Sequence, residues 1–340
     1  VYKRQSYARS DEAGKPLLPA SFLTAVEWDT DIIASESDVP LITKQLQHEW
    51  YQPLLQVEQA DMKSLLKPVL QNYKLSATHL LTFLDVSRGG PQNFLISQLL
   101  HFPSSMSPSA AYGSAVHRTL HRAHAHLAST GKRKPVEDVL QDFEKNLAAC
   151  YLADEDFQAY LQKGQASLEA FLAACYESFT ASQQAEVNFV HQQSTVGEAL
   201  LTGALDVIDV DEDAETINVT DYKTGKPAAQ WRGTSDWEKI KLHKYKQQLL
   251  FYKLLIEQSR DFGRYSVPSG TIQFVEPTVS GAVIQLDTSF DTEEYEQFKR
   301  LVRVVYRHIT SLDLPDAGQF SPDYKGILDF EAMLLDEPLT

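Results

Sequence analysis

Three side chains on two short stretches could do hydrolytic chemistry if the chain brings them together: Asp206, closing Gly203-Ala204-Leu205-Asp206, and Asp221 and Lys223, in Asp221-Tyr222-Lys223. Apolar residues alternate around them, with Ile208 and Val210 on one side of an acidic tip and Ile217 and Val219 on the other. That period of two predicts strands over 201–210 and 216–222, joined by a turn at 211–215. Pairing Val210 with Ile217 and Ile208 with Val219 buries one face and sets Asp206 opposite Asp221. Directly opposed Cβ atoms lie about 4.5–5.5 Å apart, where like charges repel, so a cation is expected between the two carboxylates. Lys223, two residues past Asp221, projects to the same face.

Two carboxylates suit Mg²⁺ or Mn²⁺, hard ions that keep several waters and take one or two protein carboxylates plus phosphate oxygens of a substrate. Such an ion lowers the pKa of a bound water and offsets charge growing on a phosphate. The lysine, a compact point charge, would orient the water or stabilise the transition state. Taken alone, the same three residues also fit a surface ion-pair ladder.

The elements that must position them follow from periodicity. Residues 1–74 mix short apolar runs with scattered Gly and Pro and form a lead-in segment. From 75 onward the pattern is helical: a short helix capped by Ser76 and running to Phe83, then helices over 91–100, 111–129, 136–151 and 154–179. After Gln184 the period changes to two, first at Val187, Phe189 and His191, then in the hairpin. A long helix over 237–259, strands over 270–275 and 282–287, and a helix over 293–310 complete the order β-β-β-α-β-β-α behind an α-rich half. An α/β domain with a central mixed sheet flanked by helices is expected.

Composition narrows the class. With 340 residues and 43% hydrophobic content, the chain can bury a large core, and no apolar run approaches the roughly 20 residues of a membrane span. Two cysteines, Cys150 and Cys175, sit in amphipathic patterns and are expected as buried thiols in a reducing, cytoplasmic compartment. An iron–sulfur cluster would need four. Neither GxxxxGK[ST] nor GxGxxG occurs, so any ATP-driven motor lies elsewhere. The net charge of −15 is unusual for a phosphate binder. Two stretches run against it: seven Lys or Arg against two acids between Lys223 and Lys246, and five Lys or Arg with five histidines and no acid between His101 and Lys134.

Gly203-Ala204-Leu205-Asp206, Asp221-Tyr222-Lys223-Thr224-Gly225 and Gln248-Leu249-Leu250-Phe251-Tyr252 resemble the GxxD, DYKTG and QxxxY motifs of the RecB-like branch of PD-(D/E)xK nucleases. Leu75-Ser76-Ala77-Thr78 and Tyr112-Gly113-Ser114-Ala115-Val116-His117 resemble that family's entry helix and its metal-binding histidine. The resemblance implies a restriction-endonuclease-like core over 75–340 and a Mg²⁺- or Mn²⁺-dependent deoxyribonuclease, exonuclease before endonuclease, without an iron–sulfur cluster. It further implies that His117, Asp206 and Asp221 bind metal with the Tyr222 carbonyl, that Lys223 is catalytic, and that Gln248 and Tyr252 support it from one helix face. Glu186 matches a common acidic position, and Thr220 stands where the name-giving proline would be. Without bracketing cysteines, the C-terminal region is expected to be held by packing. The stretch from Ser6-Tyr7-Ala8 to Leu23 resembles the end of a UvrD-like superfamily 1 helicase. The implied partners are therefore DNA with a single-stranded end and a helicase motor, in repair or recombination.

Other features admit blander accounts. His117, His121 and His124 share one helix face at zinc-compatible spacing, or form a basic face in which His121, Arg122 and His124 meet phosphates. Trp231, Arg232, Trp237, Lys239, Lys241 and Lys244 form a platform for single-stranded bases, or the tryptophans anchor the helix start. The two rival functions are a nuclease-like fold without catalysis, serving a helicase as a DNA-binding or interaction module, and a zinc hydrolase centred on the histidines.

Overall fold

The structure is a computed structural model describing residues 43–44 and 62–338. The chain divides into Val1–Asp61 and Met62–Thr340, and the fold below belongs to the second unit. Most of the lead-in segment, including the helicase-like stretch 6–23, lies outside the described residues.

Five strands form a mixed sheet in the order β1-β4-β5-β6-β7. They are β1 (Gln184–Asn188), β4 (Ala204–Asp211), β5 (Thr216–Lys223), β6 (Ser269–Phe274) and β7 (Gln285–Ser289), while β2 (Thr195–Val196) and β3 (Ala199–Leu200) pair apart from them. β4 and β5 are antiparallel with Ile208 paired to Val219 and Val210 to Ile217, the register that the apolar alternation predicts. β5 and β6 are parallel, which requires a crossover; the long helix between them supplies it.

Helices cover both faces. On one side lie α1 (Met62–Leu70), α2 (Ala77–Leu84), α3 (Gly90–Phe94), α7 (Asp236–Glu257), α8 (Thr292–Ser311) and α9 (Tyr324–Asp336). They share a core with Ile208, Ile217, Val219 and Ile272 of the sheet. On the other side α4 (Pro108–Thr130), α5 (Val136–Ala148) and α6 (Asp154–Cys175) pack with Val207, Tyr222 and Val275. Burying a Leu, Val or Phe fully stabilises by about 1.5–3 kcal/mol, so a sheet covered on both faces is held most firmly at its inner strands, β4, β5 and β6. The caps are local chemistry. Ser76 and Ser235 accept hydrogen bonds from His79 N and Glu238 N at the starts of α2 and α7, and Asp323 accepts from Gly326 N at α9.

The C-terminal helix α9 buries Ile327, Phe330 and Leu334 and is also tied to α7 by polar contacts. Its Glu331 accepts hydrogen bonds from His243 Nε2 (2.9 Å) and Gln247 Nε2 (2.8 Å). Among the described residues no helix is long and apolar enough to cross a membrane.

Three boundaries differ from expectation. β1 ends at Asn188; Phe189 is fully buried from a loop, where its ring meets Phe262, so its apolar character reflects tertiary packing and not strand period. The run at 201–210 breaks at Thr202-Gly203, where a Cβ on Gly203 would meet Leu255 Cδ1 at 2.9 Å. The last strand is shifted to Gln285–Ser289. Cys150 and Cys175 are half-buried free thiols, not core residues, because each falls at or just beyond a helix end.

Candidate active site

The β4–β5 ladder stops at Val207–Thr220, one position short of the two aspartates. There the Asp206 carboxylate takes over from the backbone: its Oδ2 accepts from Tyr222 N at 2.8 Å, and its Oδ1 lies 3.1 Å from His117 Nδ1. His117 comes from α4, on the far face of the sheet, so Asp206 joins the two layers at the sheet end.

Asp221 follows Ile217 and Val219 onto the α7 side and is 1% exposed. Its Oδ1 accepts from Gln248 Nε2 (2.9 Å) and from the Tyr252 hydroxyl (3.0 Å). Gln248 and Tyr252, four residues apart, present one face of α7 and also meet each other at 2.5 Å. Asp221 Oδ2 lies 2.8 Å from Lys223 Nζ in ion-pair contact, but accepts no aligned hydrogen bond from any described residue. Lys223 Nζ donates to Gln248 Oε1 at 2.7 Å and stands 4.9 Å from the centre of the Tyr245 ring. Lys223 is thus the cation beside Asp221, while Asp206 is met by Tyr222 N and His117 instead.

Electrostatics at the site follow from burial. Burial raises the Asp221 pKa, and the Asp206 charge adds to this against the opposing pull of Lys223. Burial alone would lower His117, but the hydrogen bond and charge of Asp206, with the charge of Asp221, turn the balance upward. Burial beside Asp221 pushes Tyr245 up to about 12 and Tyr252 well above its usual value. Both phenols stay neutral, and that of Tyr252 donates to Asp221.

A buried carboxylate whose surroundings disfavour its charge, with one oxygen left without a hydrogen bond, is chemically suited to a further cation. Asp206, Asp221, the Tyr222 carbonyl and His117 could hold a divalent ion at this sheet end. Among the described residues no three His, Cys, Asp or Glu side chains form a ready cage. His117, Asp206 and Asp221 therefore do not converge as a three-ligand group as they stand, and the two carboxylates are the donors that suit an ion taking one or two protein carboxylates with water and substrate oxygens.

Some expected residues stand elsewhere. His124 is 2% exposed, its Nε2 is 2.8 Å from the Tyr222 hydroxyl, and its ring stacks on Phe179 at 4.0 Å. It cannot reach a phosphate, and it does not converge with His117 and His121 on a zinc ion; burial lowers its pKa to about 4. Trp231 spends its indole N–H on Asp287 O of the edge strand β7 (2.7 Å), while Trp237 is exposed with Lys241 Nζ 4.7 Å from its ring. Trp231 and Arg232 precede α7 and line a cavity with Lys239, while Trp237 pairs with Lys241 and Lys244 turns to Asp85, so the basic and aromatic residues of 231–244 fall into separate groups. Glu186 is exposed and sits between the β1 pairs Ala185–Val207 and Val187–Leu205, beside Asp206, with a left-handed φ of 55°. Two residues near the site carry no sequence signal: Glu276, which accepts from Gly225 N (2.8 Å) and Lys163 Nζ (2.8 Å), and Asp85, at the end of α2.

No curated protein matches the chain. The PD-(D/E)XK nuclease superfamily, whose members generally use divalent metals such as Mg²⁺, matches residues 74–323. A mixed sheet flanked by helices, with acidic residues and a lysine gathered at one end of its central hairpin, agrees with that match, and the protein belongs to the PD-(D/E)XK nuclease superfamily.

Proposed function

We propose that the protein is a Mg²⁺- or Mn²⁺-dependent deoxyribonuclease that hydrolyses phosphodiester bonds at the end of the β4–β5 hairpin. The observation that carries this is Asp221: 1% exposed, disfavoured as an anion by burial, with Oδ2 lacking a hydrogen bond and Lys223 Nζ 2.8 Å away. Asp206, Asp221, the Tyr222 carbonyl and His117 would hold the ion. When bound, the ion neutralises charge on the scissile phosphate and makes a water more acidic.

The chain's own groups do the rest. Lys223, fixed between Asp221 and Gln248, places a positive charge where the attacking water or the phosphorus oxygens would stand. Gln248 and Tyr252 hold the Asp221 carboxylate in one orientation, as partners behind a metal ligand do. His117 fixes Asp206 from the opposite layer.

The region from Leu75 onward is the nuclease domain of this proposal. Its motifs support placement in the RecB-like branch, with exonucleolytic action on DNA bearing a single-stranded end and a helicase motor in the parent chain or complex. Labelled single- and double-stranded DNA incubated with a metal series tests the activity. Cleavage is expected with Mg²⁺ or Mn²⁺ and lost in Asp221→Asn; undiminished cleavage by that variant would overturn the assignment, and an inert wild type would favour a binding module.

A further inference from the structure

The C-terminal end of α2 and the middle of α7 enclose a cavity of about 310 Å³ that opens beside Lys223 and Gln248. Thr82, Asp85 and Arg88 line it from the α2 side, and Lys244 lines it from α7 with Gln248. Lys244 lies one helical turn before Gln248 and so shares its face of α7. Asp85 is 3% exposed, yet three groups attend its carboxylate: Lys244 Nζ in close contact with Oδ2, Arg88 Nε 3.8 Å from the same oxygen, and Ser87 Oγ donating to Oδ1 at 2.5 Å. Arg88 is largely exposed.

A buried anion joined to a lysine, in a cavity continuous with a second lysine at a phosphodiester-cleaving centre, stands where a substrate phosphate would compete for the same cation. We infer that this cavity receives the nucleotide next to the scissile phosphate, on a single strand, with Lys244 as the phosphate ligand and Asp85 as an internal competitor. This rests on the nuclease assignment above. When the strand enters, Lys244 turns from Asp85 to the phosphate, and Asp85 keeps the Ser87 hydroxyl and the Arg88 counter-charge already beside it. The cleft is open on one side, and its volume, about 310 Å³, is at the small end of ligand sites, about 300–1,000 Å³, the scale of a single nucleotide.

A simpler role for Asp85 and Lys244 is a staple holding α2 to α7, and the two roles differ in sign. The probe is a fluorescein-labelled oligothymidylate of about ten nucleotides, within the usual span of single-strand sites, titrated into the full chain in EDTA and followed by anisotropy. Lys244→Gln, which removes the charge and keeps a polar side chain, is expected to weaken binding about three- to tenfold and to flatten the log–log salt dependence by about 0.7, one phosphate contact on a single strand. Asp85→Asn is expected to tighten binding about threefold, because it removes a competing charge of like sign to the phosphate. Blunt duplex DNA is expected to bind all three proteins alike.

Weaker binding by Asp85→Asn and Lys244→Gln together, with both thermal midpoints lowered, is the signature of a staple and overturns the inference. So does a salt slope unchanged by Lys244→Gln. Should Asp85→Asn not fold, Arg88→Gln at the surface replaces it: about two- to threefold weaker binding is expected from the loss of one exposed charge, and no change overturns the inference. Metal-dependent cleavage measured on the same preparations separates the two failures, since absent cleavage with these binding changes intact refutes only the nuclease assignment.

Discussion

Mild acid should loosen the strand that carries the site, and His124 sets the size of the effect. The ring is 2% exposed, hydrogen-bonded to the Tyr222 hydroxyl and stacked on Phe179. Burial, with a smaller contribution from the charge of His121, holds its pKa at about 4, against 6.5 for the ordinary group. Between those values the unfolded chain binds more protons than the folded one. Stability is therefore lost as pH falls below 6.5, and the loss is complete once pH is under about 4. At 1.36 kcal/mol per pH unit the full loss is about 3 kcal/mol, of which about 2 kcal/mol has developed at pH 5. Urea unfolding of the wild type and His124→Phe at pH 8 and pH 5 measures it, the comparison cancelling other titrating groups. At pH 8 the variant should be less stable by about 1–2 kcal/mol, because the Tyr222 hydroxyl loses its partner. At pH 5 that deficit should shrink by about 2 kcal/mol and vanish or reverse. A difference that stays constant across the two pH values would refute the reasoning.

Lys223→Ala should lower kcat by on the order of a hundred- to a thousandfold, as for other preorganised charges at a transition state, with metal affinity measured by calorimetry largely kept. Tyr252→Phe removes a donor to Asp221 Oδ1; about a ten- to hundredfold loss of metal affinity or activity is expected, and wild-type values would show that the hydroxyl does not orient the carboxylate. Gly164→Ala places a Cβ 2.1 Å from Phe143 Cζ. It should cost about 1–3 kcal/mol of stability in denaturant unfolding, as overpacking does. Glu276→Ala leaves Gly225 N and Lys163 Nζ without their partner, and should destabilise by about 1–3 kcal/mol.

The hairpin was the most legible part of the sequence, because a one-residue slip would turn Ile208, Val210, Ile217 and Val219 away from the core together. Ser76 capping α2 was legible for a similarly local reason. What escaped were partnerships across the fold. Helical spacing put His117, His121 and His124 on one face of α4, but it could not say that Tyr222, 98 residues away, buries the last of them. Phe189 continued a strand-like alternation although its ring is buried from a loop. Asp85 gave no signal in the sequence, since its meaning depends on Lys244, 159 residues further on. The run from Trp231 to Lys244 read as one platform because sequence proximity hides that Trp231 and Arg232 lie ahead of α7 and that Lys239, Lys241 and Lys244 on it have different partners.

Helix α7 serves two clients through a fixed angular offset. His243 and Gln247 reach Glu331 of the terminal helix, while Gln248 and Tyr252 reach Asp221. Each added residue rotates the remainder of a helix by about 100°. A single-residue insertion or deletion between His243 and Gln248 would therefore put the residues before it out of phase with those after it, and no point substitution could restore both sets of contacts. The length of that segment is consequently as constrained as the identity of the side chains it carries.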